Sequence, residues 1–111
     1  MKGEIIMSNV LTVNKANFEE VTASNKVSVI KFGASWCGPC KMIAPVLNNL
    51  SNNMKNVTFG DVDIDENSEL AQLHDIMSVP TVLIFKDGTV VKKSLGFSTE
   101  EKLKDLISQY M

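Results

Sequence analysis

The sequence predicts a single α/β domain in which four helices pack around a central mixed sheet of five strands. Short apolar, β-branched segments alternate with segments whose apolar residues recur at helical spacing, and this alternation is typical of βαβ units. An Asp-Gly pair near the C-terminus predicts a hairpin turn, which makes the last two strands antiparallel. The chain of 111 residues is long enough for one hydrophobic core and too short for two ordinary domains.

The first half of the chain contributes two predicted strands and two predicted helices. Residues 10–13 form a short strand, and Asn14 can cap the helix that follows it. Residues 27–34 are apolar on both faces, which is typical of a strand with helices on both sides. Pro45 is predicted to kink the second helix, because it removes a backbone donor. The inward face of that helix carries Ile43, Val46, Leu47, Leu50 and Met54.

The second half predicts strands at residues 57–64, 79–85 and 89–95, with the hairpin turn between the last two. A third helix precedes the hairpin, and a fourth opens at the capping box of residues 98–101. On the third helix, we expect three apolar side chains to point toward the core, namely Leu70, Leu73 and Met77. On the fourth helix, we expect four side chains to point toward the core, namely Leu103, Leu106, Ile107 and Tyr110. In such a sheet the working site lies at the carboxyl end of a central strand, where a loop enters a helix.

Charge and hydropathy exclude two classes of partner. The net charge of −2 provides no basic surface for nucleic acid or for anionic lipid. The longest apolar stretches have the length of a strand, far short of the ~20 residues that cross a membrane as a helix. The N-terminus lacks the apolar segment of a signal peptide, so we interpret residues 1–7 as a short tail and residues 8–111 as a single domain. We therefore expect a cytoplasmic protein.

The only two cysteines, Cys37 and Cys40, stand at the predicted junction between the second strand and the second helix. Structural disulfides are rare in the cytosol, so this pair is expected to be catalytic or metal-binding. A helix start favours the reactive thiolate, and we expect Cys37 to be exposed there with Cys40 one turn further in and more buried. Gly38 permits a tight turn, and Pro39 suits the first helical turn. The spacing allows the sulfurs to form a bond, so that one can attack a disulfide and the other can resolve it.

A structural zinc site is the main alternative for the two cysteines. Such a site needs two further ligands, and the chain offers only His74 as a nitrogen ligand. We interpret His74 as a surface or half-buried helix residue and predict no bound metal. Trp36, just before the first cysteine, is expected to lie at the surface. Phe97 has two interpretations, since it either contacts a partner or packs against the last helix.

Several motifs together resemble the thioredoxin family. The segment Trp36 to Lys41 resembles the family's active-site motif, and the resemblance extends from about Ser8 to the end of the chain. Pro45 stands where the family kinks its second helix. The segment Val79 to Thr81 resembles the loop whose proline is cis. The hairpin turn Lys86-Asp87-Gly88 and the glycine at position 96 also match.

The resemblance implies a thioredoxin fold and a protein-disulfide reductase that carries electrons by dithiol–disulfide exchange. Cys37 would be the nucleophile and Cys40 the resolving thiol, with their redox-active disulfide in place of any bound cofactor. The backbone beside Pro80 would pair with an extended peptide as a strand. Disulfide-containing client proteins and an NADPH-linked flavoprotein, thioredoxin reductase, would be the partners, and a monomer is expected. The apolar patch that receives the peptide would comprise Trp36, Gly38, Pro39, Val79, Pro80, Gly96 and Phe97.

Two positions depart from the family pattern. Lys31, six residues before the first cysteine, stands where the family has a buried aspartate that is thought to move protons to and from the resolving thiol. Asp61 stands where the family commonly has a lysine on the adjacent strand. Because a lone buried charge costs several kcal/mol, we interpret the two changes as an exchanged ion pair. Asp61 would then act as proton acceptor, and Lys31 would favour the thiolate and a more oxidising disulfide.

Two rival functions belong to different classes. A non-redox binding module would use the same fold as a scaffold, and the intact pair Cys37 and Cys40 argues against it, since a scaffold needs neither cysteine. An oxidising or glutathione-dependent relative is the closer rival. The residues Gly38 and Pro39 between the cysteines favour the reductant, because the oxidising relatives usually carry other residue pairs there.

Overall fold

The computed structural model describes residues 9–23 and 26–111, and the predicted tail at residues 1–7 lies outside these ranges. The strands are β1 (Val10–Thr12), β2 (Val27–Gly33), β3 (Val57–Asp63), β4 (Thr81–Lys86) and β5 (Thr89–Leu95). The helices are α1 (Phe18–Thr22), α2 (Gly38–Asn53), α3 (Ser68–Leu73) and α4 (Glu100–Ser108). The predicted element order is therefore confirmed. None of the helices within the described residues is long and apolar enough to cross a membrane.

The five strands form one mixed sheet in the order β1-β3-β2-β4-β5. β3 pairs in parallel with both β1 and β2, whereas β4 is antiparallel to both β2 and β5. All seven residues of β2 are buried, as expected for a strand in the middle of a sheet covered on both faces. The predicted mixed sheet with an antiparallel terminal hairpin is confirmed. The hairpin turn holds Asp87 and Gly88 in the left-handed region, with φ of 55° and 80°.

Two apolar clusters cover the two faces of the sheet, because successive residues of a strand point to opposite sides. Helices α2 and α4 pack on one face, against the odd-numbered positions of β2 and β3. Helices α1 and α3 pack on the other face, against the even-numbered positions of β2 and an odd-numbered pair from β4. The first cluster includes Val27, Val29, Ile43, Leu47, Leu50, Val57, Phe59, Leu103 and Ile107. The second includes Phe18, Ile30, Phe32, Val62, Leu70, Leu83 and Phe85.

The parallel pairing of β2 and β3 brings the carboxyl ends of both strands to the same edge of the sheet. The loop after β2 enters α2 there, and the loop after β3 begins beside it. Gly60 allows the sheet to pack tightly near this edge, since a Cβ at that position would lie only 2.6 Å from Cγ2 of Val13. The edge therefore holds residues from two neighbouring strands and from the start of the longest helix.

The third helix differs from its prediction. It ends at Leu73, and Asp75 takes a φ of 54°, which breaks the helical path. Leu70 is buried as expected, whereas Leu73 is 75% exposed and Met77 is 91% exposed. The prediction that these two residues point inward is wrong. Met77 lies beyond the left-handed residue, where the helical spacing no longer holds, and Leu73, the last residue of α3, is exposed although it lies three residues after the buried Leu70.

Two helix caps also differ from their predictions by one to three residues. Thr99, and not Ser98, caps α4, since its hydroxyl accepts a hydrogen bond from the Lys102 N–H at 3.2 Å. Asn14 does not cap α1, which starts at Phe18. Its side-chain oxygen instead accepts the Ala16 N–H at 2.8 Å and organises the turn that leads into the helix. Both differences have the same cause, since neighbouring polar residues compete to accept hydrogen bonds from the same backbone N–H groups.

Candidate active site

Cys37 and Cys40 are joined by a disulfide at the start of α2. Cys37 is the N-cap residue, with extended backbone, and its Sγ accepts a hydrogen bond from the Cys40 N–H at 3.1 Å. Pro39 lies in the first helical turn, where its missing N–H leaves no carbonyl unsatisfied. The helix start therefore directs a backbone donor and the positive end of its dipole at the sulfur of Cys37, and both favour a thiolate when the bond is reduced.

The two cysteines are buried to nearly the same degree. Cys37 is 5% exposed and Cys40 is 3% exposed, so the prediction that Cys37 is exposed is wrong for the disulfide form. The physical reason is that Ala34 forms one small cluster with both cysteines, and Ile64 and Val79 pack against that cluster. Access to the sulfurs therefore depends on the residues around them.

The predicted apolar patch surrounds the disulfide with residues of unequal exposure. Trp36 is 66% exposed and Phe97 is 43% exposed, whereas Pro80 is buried. The Val79–Pro80 peptide bond is cis, as the resemblance implied. The Gly96 N–H donates to the Pro80 carbonyl at 2.9 Å, which joins the segment after β5 to the loop before β4. Gly38 and Pro39 are exposed, and Val79 and Gly96 are half-buried.

Asp65 is a site residue that the sequence reasoning did not assign. Its carboxylate accepts a hydrogen bond from Nε1 of Trp36 at 2.9 Å, and this bond holds the indole beside the cysteines. The Asp65 N–H in turn donates to the Asp63 carboxylate at 2.8 Å. A signal was present in the sequence, since Asp63 ends the strand that runs parallel to β2 and Asp65 follows it, at the same edge of the sheet as the cysteines.

The ion pair expected between Lys31 and Asp61 is present. The two residues lie directly opposite each other in the parallel register of β2 and β3. Both occupy odd-numbered positions, so both side chains lie on the sheet face that α2 covers. Nζ of Lys31 is 3.3 Å from Oδ1 of Asp61, and the side chains are 10% and 48% exposed respectively. The Lys31 side chain is thus almost wholly buried, whereas about half of the Asp61 side chain reaches solvent.

A cavity of about 270 Å³ connects this ion pair with the resolving side of the disulfide. Gly33, at the end of β2, separates the two parts of the site. A Cβ on Gly33 would lie 3.2 Å from Sγ of Cys40 and 3.3 Å from Cε of Lys31, so the absence of a side chain lets the lysine stem approach the sulfur. The cavity is lined by Lys31, Gly33, Ala34, Ser35, Cys40, Lys41, Ala44, Asp61, Val62 and Asp63.

His74 lies away from the cysteines, in an aromatic environment. It is half-buried at the end of α3, and its ring is 4.8 Å from that of Phe18. Its Nδ1 lies 3.1 Å from the Leu70 carbonyl. These contacts match the expected half-buried helix residue. Among residues 9–23 and 26–111, no group of three or more His, Cys, Asp or Glu side chains could hold a metal ion.

Comparison with known proteins identifies relatives over nearly the whole chain. The thioredoxin family model matches residues 9–109. A thioredoxin of Chlamydia pneumoniae is 40% identical over 88% of this chain and 95% of its own length. A thioredoxin of Bacillus subtilis is 40% identical over 91% of this chain and 100% of its own length. A solved mutant thioredoxin from Halobacterium salinarum superposes with a TM-score of 0.87 at 36% identity, covering 97% of this chain and 96% of its own.

The ion pair predicts a measurable coupling between Lys31 and Asp61. Lys31→Met leaves a half-buried carboxylate without its partner, whereas the double variant Lys31→Met with Asp61→Leu removes both charges. We expect a coupling free energy of about 1–2 kcal/mol in a double-mutant cycle, and a double variant more stable than the single one. Urea unfolding of the four proteins measures it. Additive effects of the two substitutions would contradict the ion pair.

Proposed function

The chain belongs to the thioredoxin family, and from that membership we propose how its individual residues carry out the exchange. The chain is a thiol–disulfide oxidoreductase that reduces disulfides in other proteins through the pair Cys37 and Cys40. Its redox centre is this pair, so that the exchange requires no bound cofactor. The disulfide at the start of α2 is the observation on which the proposed mechanism rests.

Cys37 is the attacking residue in this proposal. In the reduced protein its thiolate is stabilised by the start of α2 and by the Cys40 N–H, the donor that lies 3.1 Å from its sulfur in the disulfide form. The thiolate attacks one sulfur of a client disulfide. A bond forms between Cys37 and that sulfur, the client's own disulfide breaks, and the second client sulfur leaves as a thiolate that takes up a proton.

Cys40 resolves the mixed disulfide. It lies one helical turn from Cys37, within bonding distance of the sulfur that it must attack. Its thiol gives up a proton and attacks Sγ of Cys37, and the client leaves with its second sulfur reduced. The client thereby gains two electrons and two protons, while Cys37 and Cys40 return to the disulfide.

Asp61 accepts the proton that Cys40 releases. Its carboxylate and the sulfur of Cys40 line the same cavity, which is large enough for water to bridge them. Asp61 is also 48% exposed, so it can pass the proton on to solvent. Lys31 holds the carboxylate at the wall of this cavity through the ion pair.

The apolar patch receives the client as an extended peptide. Trp36, fixed by Asp65, forms one wall, and Phe97 forms the other beyond the Gly96–Pro80 hydrogen bond. Because the Pro80 carbonyl already accepts the Gly96 N–H, we assign the strand-like pairing with the client to the backbone of Val79. Main-chain pairing gives affinity without demanding a particular client sequence. Gly38 and Pro39 are exposed beside Cys37, which is itself only 5% exposed in the disulfide form.

Family membership also implies two kinds of partner. Disulfide-containing proteins are the substrates, and a reductase returns the pair to the dithiol. We propose that this reductase is an NADPH-linked flavoprotein, that the protein works as a monomer, and that it does so in the cytoplasm. The reasons are the reductant-type residues Gly38 and Pro39 between the cysteines and the similarity to thioredoxins over nearly the whole chain.

Serine substitutions distinguish the roles of the two cysteines. Cys37→Ser should reduce the turnover of a protein disulfide to the uncatalysed rate, because no nucleophile remains. Cys40→Ser should also stop turnover, but it should accumulate a covalent complex with the client, because the mixed disulfide cannot be resolved. Non-reducing mass spectrometry detects the complex. If Cys37→Ser accumulated the complex and Cys40→Ser did not, the assigned order of attack would be wrong.

Substitution of Asp61 tests its role in proton transfer. Asp61→Asn should slow resolution of the mixed disulfide by about tenfold near neutral pH, since bulk water replaces the carboxylate only in part. The loss should shrink as pH rises and the thiol ionises unaided. Stopped-flow fluorescence of Trp36 gives the rate. The matched control is Asp63→Asn, because Asp63 lies on the same strand and lines the same cavity.

A second feature makes this test specific. Asp61→Asn also leaves the charge of Lys31 uncompensated, and that change by itself favours the Cys40 thiolate. The uncompensated charge of Lys31 would thus speed the ionisation of Cys40, so slower resolution in Asp61→Asn reports the loss of the carboxylate. Equal rates for Asp61→Asn, Asp63→Asn and the unmodified protein would remove Asp61 from the mechanism.

A further inference from the structure

We propose that Lys31 is a positioning residue whose ammonium, carried on a nearly buried side chain, stabilises the thiolate of Cys40. The Cys37–Cys40 disulfide is therefore easier to reduce than it would be with a neutral side chain at position 31. The inference rests on the proposed function, since it concerns the resolving thiol of the same exchange. The group on which Lys31 acts is the Cys40 sulfur of the same chain. The action is electrostatic and involves no contact with the client.

The first observation is the burial of Lys31. Among the described residues it is the one charged residue in the buried part of the protein, where 8% of its surface remains exposed. A charge in such surroundings acts over longer distances than one in water, because little solvent lies between it and its neighbours. Its stem passes Gly33, and the sulfur of Cys40 lies against the same glycine. The ammonium therefore belongs to the immediate surroundings of the resolving sulfur.

The second observation is that the two ends of the ion pair are unequally screened. Three further charged groups line the cavity with Cys40, namely Lys41 from α2 and Asp61 and Asp63 from β3. Asp61 is 48% exposed, whereas Lys31 is 10% exposed, so water weakens the field of the carboxylate more than that of the ammonium. Asp63 is half-buried and accepts the Asp65 N–H. Lys41 is exposed and screened by solvent.

The consequence follows from comparing the two redox states. The disulfide carries no charge and gains nothing from the ammonium, whereas a thiolate at Cys40 is stabilised by it. Lys31 therefore shifts the equilibrium toward the dithiol, provided that the pH is high enough for the thiolate to form. Under acidic conditions, where both thiols are protonated, the effect disappears. This dependence on pH separates an electrostatic role from a role in holding the fold together.

The experiment compares redox equilibria of four proteins: the unmodified chain, Lys31→Met, Lys31→Arg and Lys86→Met. The last is the matched control, because it removes the same charge from β4 at the far end of the sheet, where Lys86 pairs with Val27. Each protein is equilibrated with a dithiothreitol buffer between about pH 6 and about pH 9.5, a range that spans thiol ionisation. The fraction of dithiol is then counted by alkylation and mass spectrometry.

For Lys31→Met we expect the equilibrium constant to move toward the disulfide by about tenfold at alkaline pH, which corresponds to about 30 mV for a two-electron couple. The shift should vanish at the acidic end of the range. Lys31→Arg should restore the behaviour of the unmodified chain, and Lys86→Met should match it throughout. A shift in Lys31→Met that does not depend on pH, or one that Lys86→Met shares, would overturn the proposal.

A further variant protects the test against misfolding. If Lys31→Met alone fails to fold, the double variant Lys31→Met with Asp61→Leu replaces the ion pair with apolar side chains and removes the ammonium. It should show a pH-dependent shift in the same direction, smaller than that of Lys31→Met, because the loss of the Asp61 carboxylate acts the opposite way. Failure of the proposed function has a different signature, because the unmodified chain would then not reduce a protein disulfide at all, whatever the behaviour of the Lys31 variants.

Discussion

The parallel pairing of β2 and β3 is the constraint on which the site depends. Its register places Lys31 directly against Asp61 and brings the ends of both strands to one edge of the sheet. The loop from β2 carries the cysteines into the start of α2, and the loop from β3 supplies the carboxylate that holds Trp36. A shift of one residue in this register would leave Lys31 and Asp61 on opposite faces of the sheet and would separate the ion pair. The chemistry and the packing of the protein are therefore fixed by the same pairing.

Two sources of positive potential act on the disulfide from different sides. The start of α2 acts on Cys37, through the dipole of the helix and the Cys40 N–H. The side chain of Lys31 lies on the side of Cys40, where Gly33 lets its stem approach the sulfur. In this account the first prepares the attack on a client, and the second prepares the resolution of the mixed disulfide. The carboxylate of Asp61 limits the cost of burying Lys31, and in the proposed mechanism it also gives the released proton a route to solvent.

Much of this structure could be predicted from the sequence, and the exceptions have physical causes. The strands, their mixed arrangement and the position of the cysteines follow from periodicity and turn residues, which act locally. The ion pair was predicted because two opposite charge changes fell on neighbouring strands. The exposure of Met77 could not be predicted, because the left-handed residue Asp75 breaks the helical path before it. The burial of Cys37 and the bond from Trp36 to Asp65 depend on packing between distant segments, which periodicity does not describe.

The central claim is that Cys37 and Cys40 form a reversible two-electron couple. A redox titration of the unmodified chain tests it most directly, with the fluorescence of Trp36, the single tryptophan of the chain, as the reporter. Alkylation and mass spectrometry count the free thiols at each point. We expect one reversible transition in which two thiols appear together as the fluorescence changes. The absence of a reversible transition, or the stable appearance of a single free thiol, would contradict it.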